Sequence, residues 1–337
     1  RQRKSPQKAS FPTSLQRLKF LDASLSLHFP FSPNAHTYMD ERIQKLMQKV
    51  RRIEIKTQAL TDNVFAGEYH SAFKGRGMSF SEVREYQPGD DIRDIDWNVT
   101  ARFDRTYVKV FEEERELTVL LLIDVSGSLD FGTKTQSQRD LLTEIAATLA
   151  FSAIRNNDKI GVIFFSDHCE KFIPPAKGRA HILRIIREML TFKPQSSRTD
   201  IAAALEFMMR VQRKKCIAFL LSDFFDSRIP NASSDSRISR NVAMVARHHD
   251  LIAIRVYDRC MERLPNVGLV KMEDAETGHK MIVDTSSRKV REAHAQYWNS
   301  ISRSLDFIFR RSKVAFANVS TGTDFVIPLK NLFAHKM

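Results

Sequence analysis

From Leu117 to the end of the chain, short unbroken apolar runs alternate with amphipathic stretches, and this alternation limits the possible folds more than any other feature. Leu117–Ile123, Lys159–Phe165, Cys216–Leu221, Leu251–Tyr257 and Val314–Val319 read as strands. A strand that is apolar at nearly every position must be covered on both faces, whereas a strand with one wet face alternates polar and apolar residues. Between these runs, helical spacing predicts helices over about 136–156, 179–190, 201–211, 240–248 and 288–310. Repeated strand and helix of this kind give a doubly wound, mostly parallel α/β sheet of the Rossmann-like class. Val267–Met272 and Lys280–Val283 are expected to form a hairpin across Glu276–His279, and Phe325–His335 a closing helix.

Upstream of this α/β domain (114–335) the texture changes. Residues 63–113 are rich in Gly, Tyr, Phe and charged side chains, with Pro88-Gly89 marking a tight turn. Ser79–Tyr86 and Thr106–Phe111 alternate like strands, so 63–113 is expected to be a small β-rich subdomain. In 39–62, Ile43, Leu46, Met47, Val50 and Ile53 fall at helical spacing and predict an amphipathic helix. Residues 1–38 show no stable period and are expected to be a disordered extension; Met39, the first methionine, is the expected natural start.

Charge and cysteine usage narrow the function classes. The net charge is +13, and residues 1–60 hold 12 Lys/Arg against 4 Asp/Glu. Such a flank attracts polyanions. No paired zinc ligands and no interleaved aromatic and basic stripe accompany it, so specific nucleic-acid binding is not expected. Cys169, Cys216 and Cys260 are widely spaced and odd in number, which fits neither a disulfide framework nor a zinc site. Asp22, His28 and Pro30 break the apolar stretch Phe20–Phe31, and no window reaches the roughly 18 apolar residues of a membrane span. A cytoplasmic protein is expected.

In open α/β sheets, ligands bind beyond the carboxyl ends of the strands. Three places there carry oxygen side chains. Leu117–Ile123 runs into Asp124-Val125-Ser126-Gly127-Ser128, Cys216–Leu221 runs into Asp223, and the Ser196–Asp200 loop offers Thr199. An Asp-x-Ser-x-Ser loop turns its alternate side chains inward, with Gly127 expected to relax the backbone at the tightest point. Carboxylates and hydroxyls without imidazole or thiolate favour a hard ion, Mg²⁺ or Mn²⁺.

The loop with Thr199 and Asp223 resembles the metal-ion-dependent adhesion site of von Willebrand factor A (vWA) domains. Upstream, Gly75-Arg76-Gly77, Arg84-Glu85-Tyr86-Gln87-Pro88-Gly89-Asp90-Asp91, Arg93, Ile95-Asp96-Trp97 and Ala101-Arg102 resemble the hallmark of the bacterial domain-of-unknown-function 58 family. This likeness spans about 40–335. The resemblance implies that Ser126, Ser128 and Thr199 hold the ion directly, and Asp124 and Asp223 mainly through water. It also implies a non-catalytic, cation-dependent adaptor acting with a MoxR-type AAA+ ATPase, whose acidic side chain would complete the ion's shell. Many relatives carry N-terminal membrane helices; none is expected in this sequence, which puts membrane anchoring in question. Within the upstream block, Arg84, Asp90, Asp91, Arg93 and Asp96 are expected to pair with one another, and Trp97 to be a buried anchor between the subdomains.

Enzyme readings find little support. The second carboxylate that a haloacid-dehalogenase-type phosphotransferase needs falls on Ser126. There is no GxxxxGK[ST] and no GxSxG, and Gly75-x-Gly77 does not open a helix after a strand. His248 and His249 are adjacent, so a helix would point them about 100° apart. A metal-assisted phosphoester hydrolase stays open as the alternative to an adaptor.

Overall fold

The computed structural model describes residues 18–20, 48, 50–57, 78–103, 105–113, 117–132, 136–226, 228–230, 233, 234, 236–274, 276 and 278–334. The core is a six-stranded sheet built from β4 (Thr118–Asp124), β5 (Lys159–Phe165), β6 (Cys169–Ala176), β7 (Ile217–Ser222), β8 (Asp250–Tyr257) and β11 (Ala315–Ser320). The spatial order is β11-β8-β7-β4-β5-β6, parallel throughout except for the antiparallel edge pair β5–β6. The chain winds outward from β4 to β5 on one side and returns to β7 on the other. The loops after β4 and β7 therefore face each other at the point where the winding reverses.

The continuous apolar character of β4 follows from its two covered faces. Val119, Leu121 and Ile123 pack with the helices α1 (Gln138–Arg155), α2 (Arg179–Thr191) and α6 (Val326–Ala334). Leu120 and Leu122 point the other way, onto α3 (Ile201–Val211), α4 (Arg237–His248) and α5 (Arg288–Arg311). All five side chains are at most 1% exposed. Burial of each contributes about 1.5–3 kcal/mol relative to leaving it in water, so the sheet's centre is a stiff platform for the loops it ends in. The doubly wound, mostly parallel α/β architecture expected from the sequence is the one observed.

Smaller parts surround this domain. A helical segment across 50–57 lays Val50 and Ile53 on the first core face, with Glu54 pairing to Arg179 and Lys56 to Glu144. The rest of the predicted 39–62 helix, apart from Gln48, lies outside the described residues. Strands β9 (Leu269–Asp274) and β10 (Lys280–Asp284) form the expected hairpin. Against expectation, Leu18–Phe20 in the 1–38 stretch forms a strand, β1, paired antiparallel with β9. A free edge of a hairpin offers unsatisfied backbone groups, and a short extended segment satisfies them whatever its periodicity. The other residues of 1–38 lie outside the described set.

The β-rich subdomain is a two-stranded antiparallel ribbon, β2 (Met78–Glu85) and β3 (Tyr107–Glu113). Gly75-Arg76-Gly77 lies outside the described residues. Arg84 and Asp90 make the expected pair, bidentate at 2.8 and 2.7 Å. Asp96 instead faces Lys109 at 3.6 Å and caps the helical turn Trp97–Thr100 through the Asn98 and Val99 amides. Trp97 is not a buried anchor: it is 67% exposed. It opens a four-residue turn on a ribbon that, among the described residues, has no second layer over the indole. Among the described residues no helix is long and apolar enough to cross a membrane.

Candidate metal centre

β4 carries Asp124 to the carboxyl edge of the sheet, where it is 1% exposed. Its Oδ1 accepts the Ser126 amide at 2.9 Å and its Oδ2 accepts the Ser222 hydroxyl at 2.6 Å. The loop then enters a tight turn over Gly127–Asp130, which brings the Ser126 and Ser128 hydroxyl oxygens to 3.0 Å. Gly127 keeps a backbone angle open to any residue, so the expected glycine-only turn is not there. Its amide donates to the Ser197 carbonyl at 3.2 Å and so fastens this loop to the one carrying Thr199.

The Thr199 loop is held from several sides. The Glu170 carboxylate, its side chain 1% exposed, accepts the amides of Gln195 and Ser196 at 3.0 and 3.1 Å. Asp200 caps α3 through the Ala203 amide. Arg228, from the loop after β7, donates to the Thr199 carbonyl at 3.0 Å while forking onto Asp226 and reaching Asp200. Thr199 itself is 6% exposed, and its hydroxyl oxygen has no hydrogen-bond partner among the described residues. A buried hydroxyl left without a partner is uncommon and marks a place where another group belongs.

Asp223 follows β7 directly, 1% exposed, with Oδ1 accepting the Phe225 amide at 3.0 Å. The next residue, Phe224, sits at φ +56°, a left-handed conformation that an aromatic residue adopts only under constraint. Its ring is locked edge-on against Phe309 and Phe316, and its amide donates to the Ser222 hydroxyl. Core packing thereby fixes the turn that aims Asp223.

Burial, and then the nearby charge of Asp223, push the Asp124 carboxyl up to about 7. Two carboxylates in one dry pocket cannot both ionise at low cost without a cation. Arg255 is the cation already present. It is 1% exposed, its Nε donates to the Asp223 carbonyl at 3.2 Å, its Nη1 donates to the Ser302 hydroxyl at 3.0 Å, and it stacks 3.9 Å over the Trp298 ring. Burial lowers its pKa to about 10, opposed by the charge of Asp223.

Hydrogen bonds therefore join Asp124, Ser126 and Ser128, the charge of Asp223 reaches Asp124, and the Gly127–Ser197 bond ties the Thr199 loop to them. Among the described residues no group of three or more His, Cys, Asp or Glu side chains could hold a metal. What the site offers is two carboxylates and three hydroxyls, a donor set that fits a hard divalent cation and not a soft one. Four positioning residues escape sequence reasoning: Glu170, Ser222, Arg228 and Arg255. Arg255 alone carried a signal, a charge inside the otherwise apolar run Leu251–Tyr257.

A family model described as "Protein of unknown function DUF58" matches residues 82–302. The uncharacterized protein Rv1480 of Mycobacterium tuberculosis is 33% identical over 236 residues, covering 69% of this chain and 72% of that one. Among solved structures, the conserved hypothetical protein BatB of Bacteroides thetaiotaomicron superposes with a TM-score of 0.43 at 13% identity, over 65% of this chain and 98% of that chain. Proximal thread matrix protein 1 of the mussel byssus, solved with zinc in its metal-ion-dependent adhesion motif, gives 0.33 at 18% identity, over 42% of this chain and 38% of that one. Both superpositions are too loose to bear on function.

Proposed function

The chain belongs to the family described as protein of unknown function DUF58, and from that premise we propose that its carboxyl-edge site holds Mg²⁺ or Mn²⁺ and uses it to dock a protein partner without catalysis. The observation that carries this reading is the Thr199 hydroxyl, buried and without a partner among the described residues, beside the loop of Asp124, Ser126 and Ser128. Ser126, Ser128 and Thr199 hold the ion directly, and Asp124 and Asp223 stabilise it mainly through water. A hard ion with few protein ligands keeps an open position for an acidic side chain of the partner.

The chain's own residues set the terms of that docking. Ser222 and the Ser126 amide fix the rotamer of Asp124. Arg228 and Glu170 hold the Thr199 loop in place before any ion arrives. Arg255 keeps a positive charge beneath Asp223, so the pocket's net charge stays low and the ion is held reversibly. The partner class we assign is a MoxR-type AAA+ ATPase, on the likeness of the block around Arg84–Asp96 to its family. This reading assigns the domain to the cytoplasm, supported by three cysteines that form no disulfide.

Titration with Mn²⁺, followed by electron paramagnetic resonance, tests the site. Wild type is expected to bind one ion per chain, with affinity reduced at least tenfold in Asp124→Ala and Thr199→Ala. Binding of a purified MoxR-type ATPase from the same source should need Mg²⁺ and fail in Asp124→Ala. Ion binding that both variants retain would remove the site. Phosphoesterase turnover abolished by Asp124→Ala would replace the adaptor with a hydrolase.

A further inference from the structure

A cleft of about 430 Å³ opens between α4 and the C-terminal end of α5, with Ser234 of the loop after β7 at its rim and none of Asp124, Ser126, Ser128, Thr199 or Asp223 in its lining. Arg240 and Arg247 of α4, together with Arg311 and Lys313 at the end of α5, line it. Among its described lining residues there is no carboxylate. None of the four cationic side chains makes an ion pair or hydrogen bond among the described residues. In the same domain Arg179, Arg228 and Arg237 each meet a carboxylate within 3 Å. The four cations of the cleft instead gather in one concavity without a counter-charge among its described lining.

Helix electrostatics accounts for part of the cluster. Arg247 and Arg311 lie in last turns, where the helix end is negative and cations are favoured. Arg240 does not fit this account. It sits one turn into α4, where the helix end is positive, with no acidic residue in that turn to offset it. An anion placed in the cleft would satisfy it together with the other three. The floor adds a second constraint: Ala243 and Ala246 are small, one turn apart, and leave a narrow apolar strip beside Ile308. The volume falls within the roughly 300–1,000 Å³ of small-ligand sites.

We propose that this cleft binds a compact phosphate-bearing ligand of nucleotide size, with its phosphates among the four cations and its uncharged part on the Ala243–Ala246 strip. Guanidinium forks match phosphate oxygens in pairs, which favours phosphate over a carboxylate ligand. The proposal goes beyond the metal-site reading and stands whether or not that reading holds.

Calorimetric titration of the full chain with inorganic pyrophosphate and with ADP, in EDTA and low salt, tests it. Saturable one-to-one binding is expected, weakening as salt rises, with ADP tighter than pyrophosphate. The Arg240→Ser/Arg247→Ser variant should bind at least tenfold more weakly, and Arg311→Ser/Lys313→Ser likewise from the opposite wall. All four positions are exposed, so thermal melts of both variants should match wild type. Asp124→Ala should bind both probes like wild type. Absence of saturable binding by wild type, or equal binding by both double variants, would overturn the proposal. So would single-stranded oligonucleotides that displace ADP with affinity growing with length, since that result assigns the cleft to nucleic acid.

Discussion

Asp124 is a carboxyl group placed where ionisation is costly, and that cost has a measurable sign. Burial, with Asp223 adding to it, raises its pKa from an ordinary 3.8 to about 7. Between those values the folded chain holds a proton that the unfolded chain has released, so stability falls as pH rises through this window. In EDTA, urea unfolding from pH 4.5 to 7.5 should show a decline from this group on the order of a few kcal/mol. Asp124→Asn should flatten it, because the amide carries no charge at any pH. A wild-type profile indistinguishable from Asp124→Asn would contradict the buried-charge account. At this scale the sequence is readable wherever a polar group interrupts an apolar pattern at a strand end, as Asp124 and Asp223 do. Ser222 and Glu170 escape because their roles depend on groups distant in the chain: Ser222 reaches Asp124 and Glu170 reaches Gln195. Arg255 was visible as an anomaly, but only the fold reveals Asp223 and Trp298 around it.

Among the elements, β6 is the strand that periodicity does not reveal, and it explains why β5 contains a glycine. Pro174 and Pro175 interrupt the run Cys169–Ala176, and Ile173 is its one buried apolar residue. Proline cannot donate to a ladder, which confines it to edges, and β6 is the antiparallel edge of the sheet. Prolines there also discourage edge-to-edge pairing with another chain. The parallel strands are legible for the opposite reason: helices on both faces leave almost no polar position in them. The cost of the proline edge falls on Gly161, where an added Cβ would stand 2.9 Å from the Pro175 ring and its nitrogen. Gly161→Ala should therefore destabilise the domain by about 1–3 kcal/mol, the range for overpacking, measured by urea unfolding. Pairing it with Pro175→Ala should recover part of that loss, and a neutral Gly161→Ala would mean that β6 yields to the methyl group.

For the whole molecule, the α/β domain and the β2–β3 ribbon are built on different terms. The domain closes around two apolar layers, one on each face of the sheet. Among the described residues the ribbon has its own ladder, local pairs such as Arg84–Asp90 and Arg105–Glu85, and one buried apolar side chain, Val108. The sequence distinguishes these two regions by texture, but it does not say how they are joined, and the expectation of an indole anchor fails for that reason. Ile92, Trp97 and Phe103 are all more than half exposed on the segment between β2 and β3. The chain has two tryptophans, and the second, Trp298, lies 6% exposed under Arg255. Their emission should therefore separate into a red, acrylamide-quenched component from Trp97 and a blue, protected one from Trp298. Trp97→Phe should remove the red component and change the unfolding free energy by less than about 0.5 kcal/mol, as surface substitutions do. A loss of several kcal/mol would restore the anchor and make the ribbon part of the domain's core. A near-neutral result leaves the indole and its apolar neighbours as surface, held by the ribbon's own hydrogen bonds and exposed to solvent.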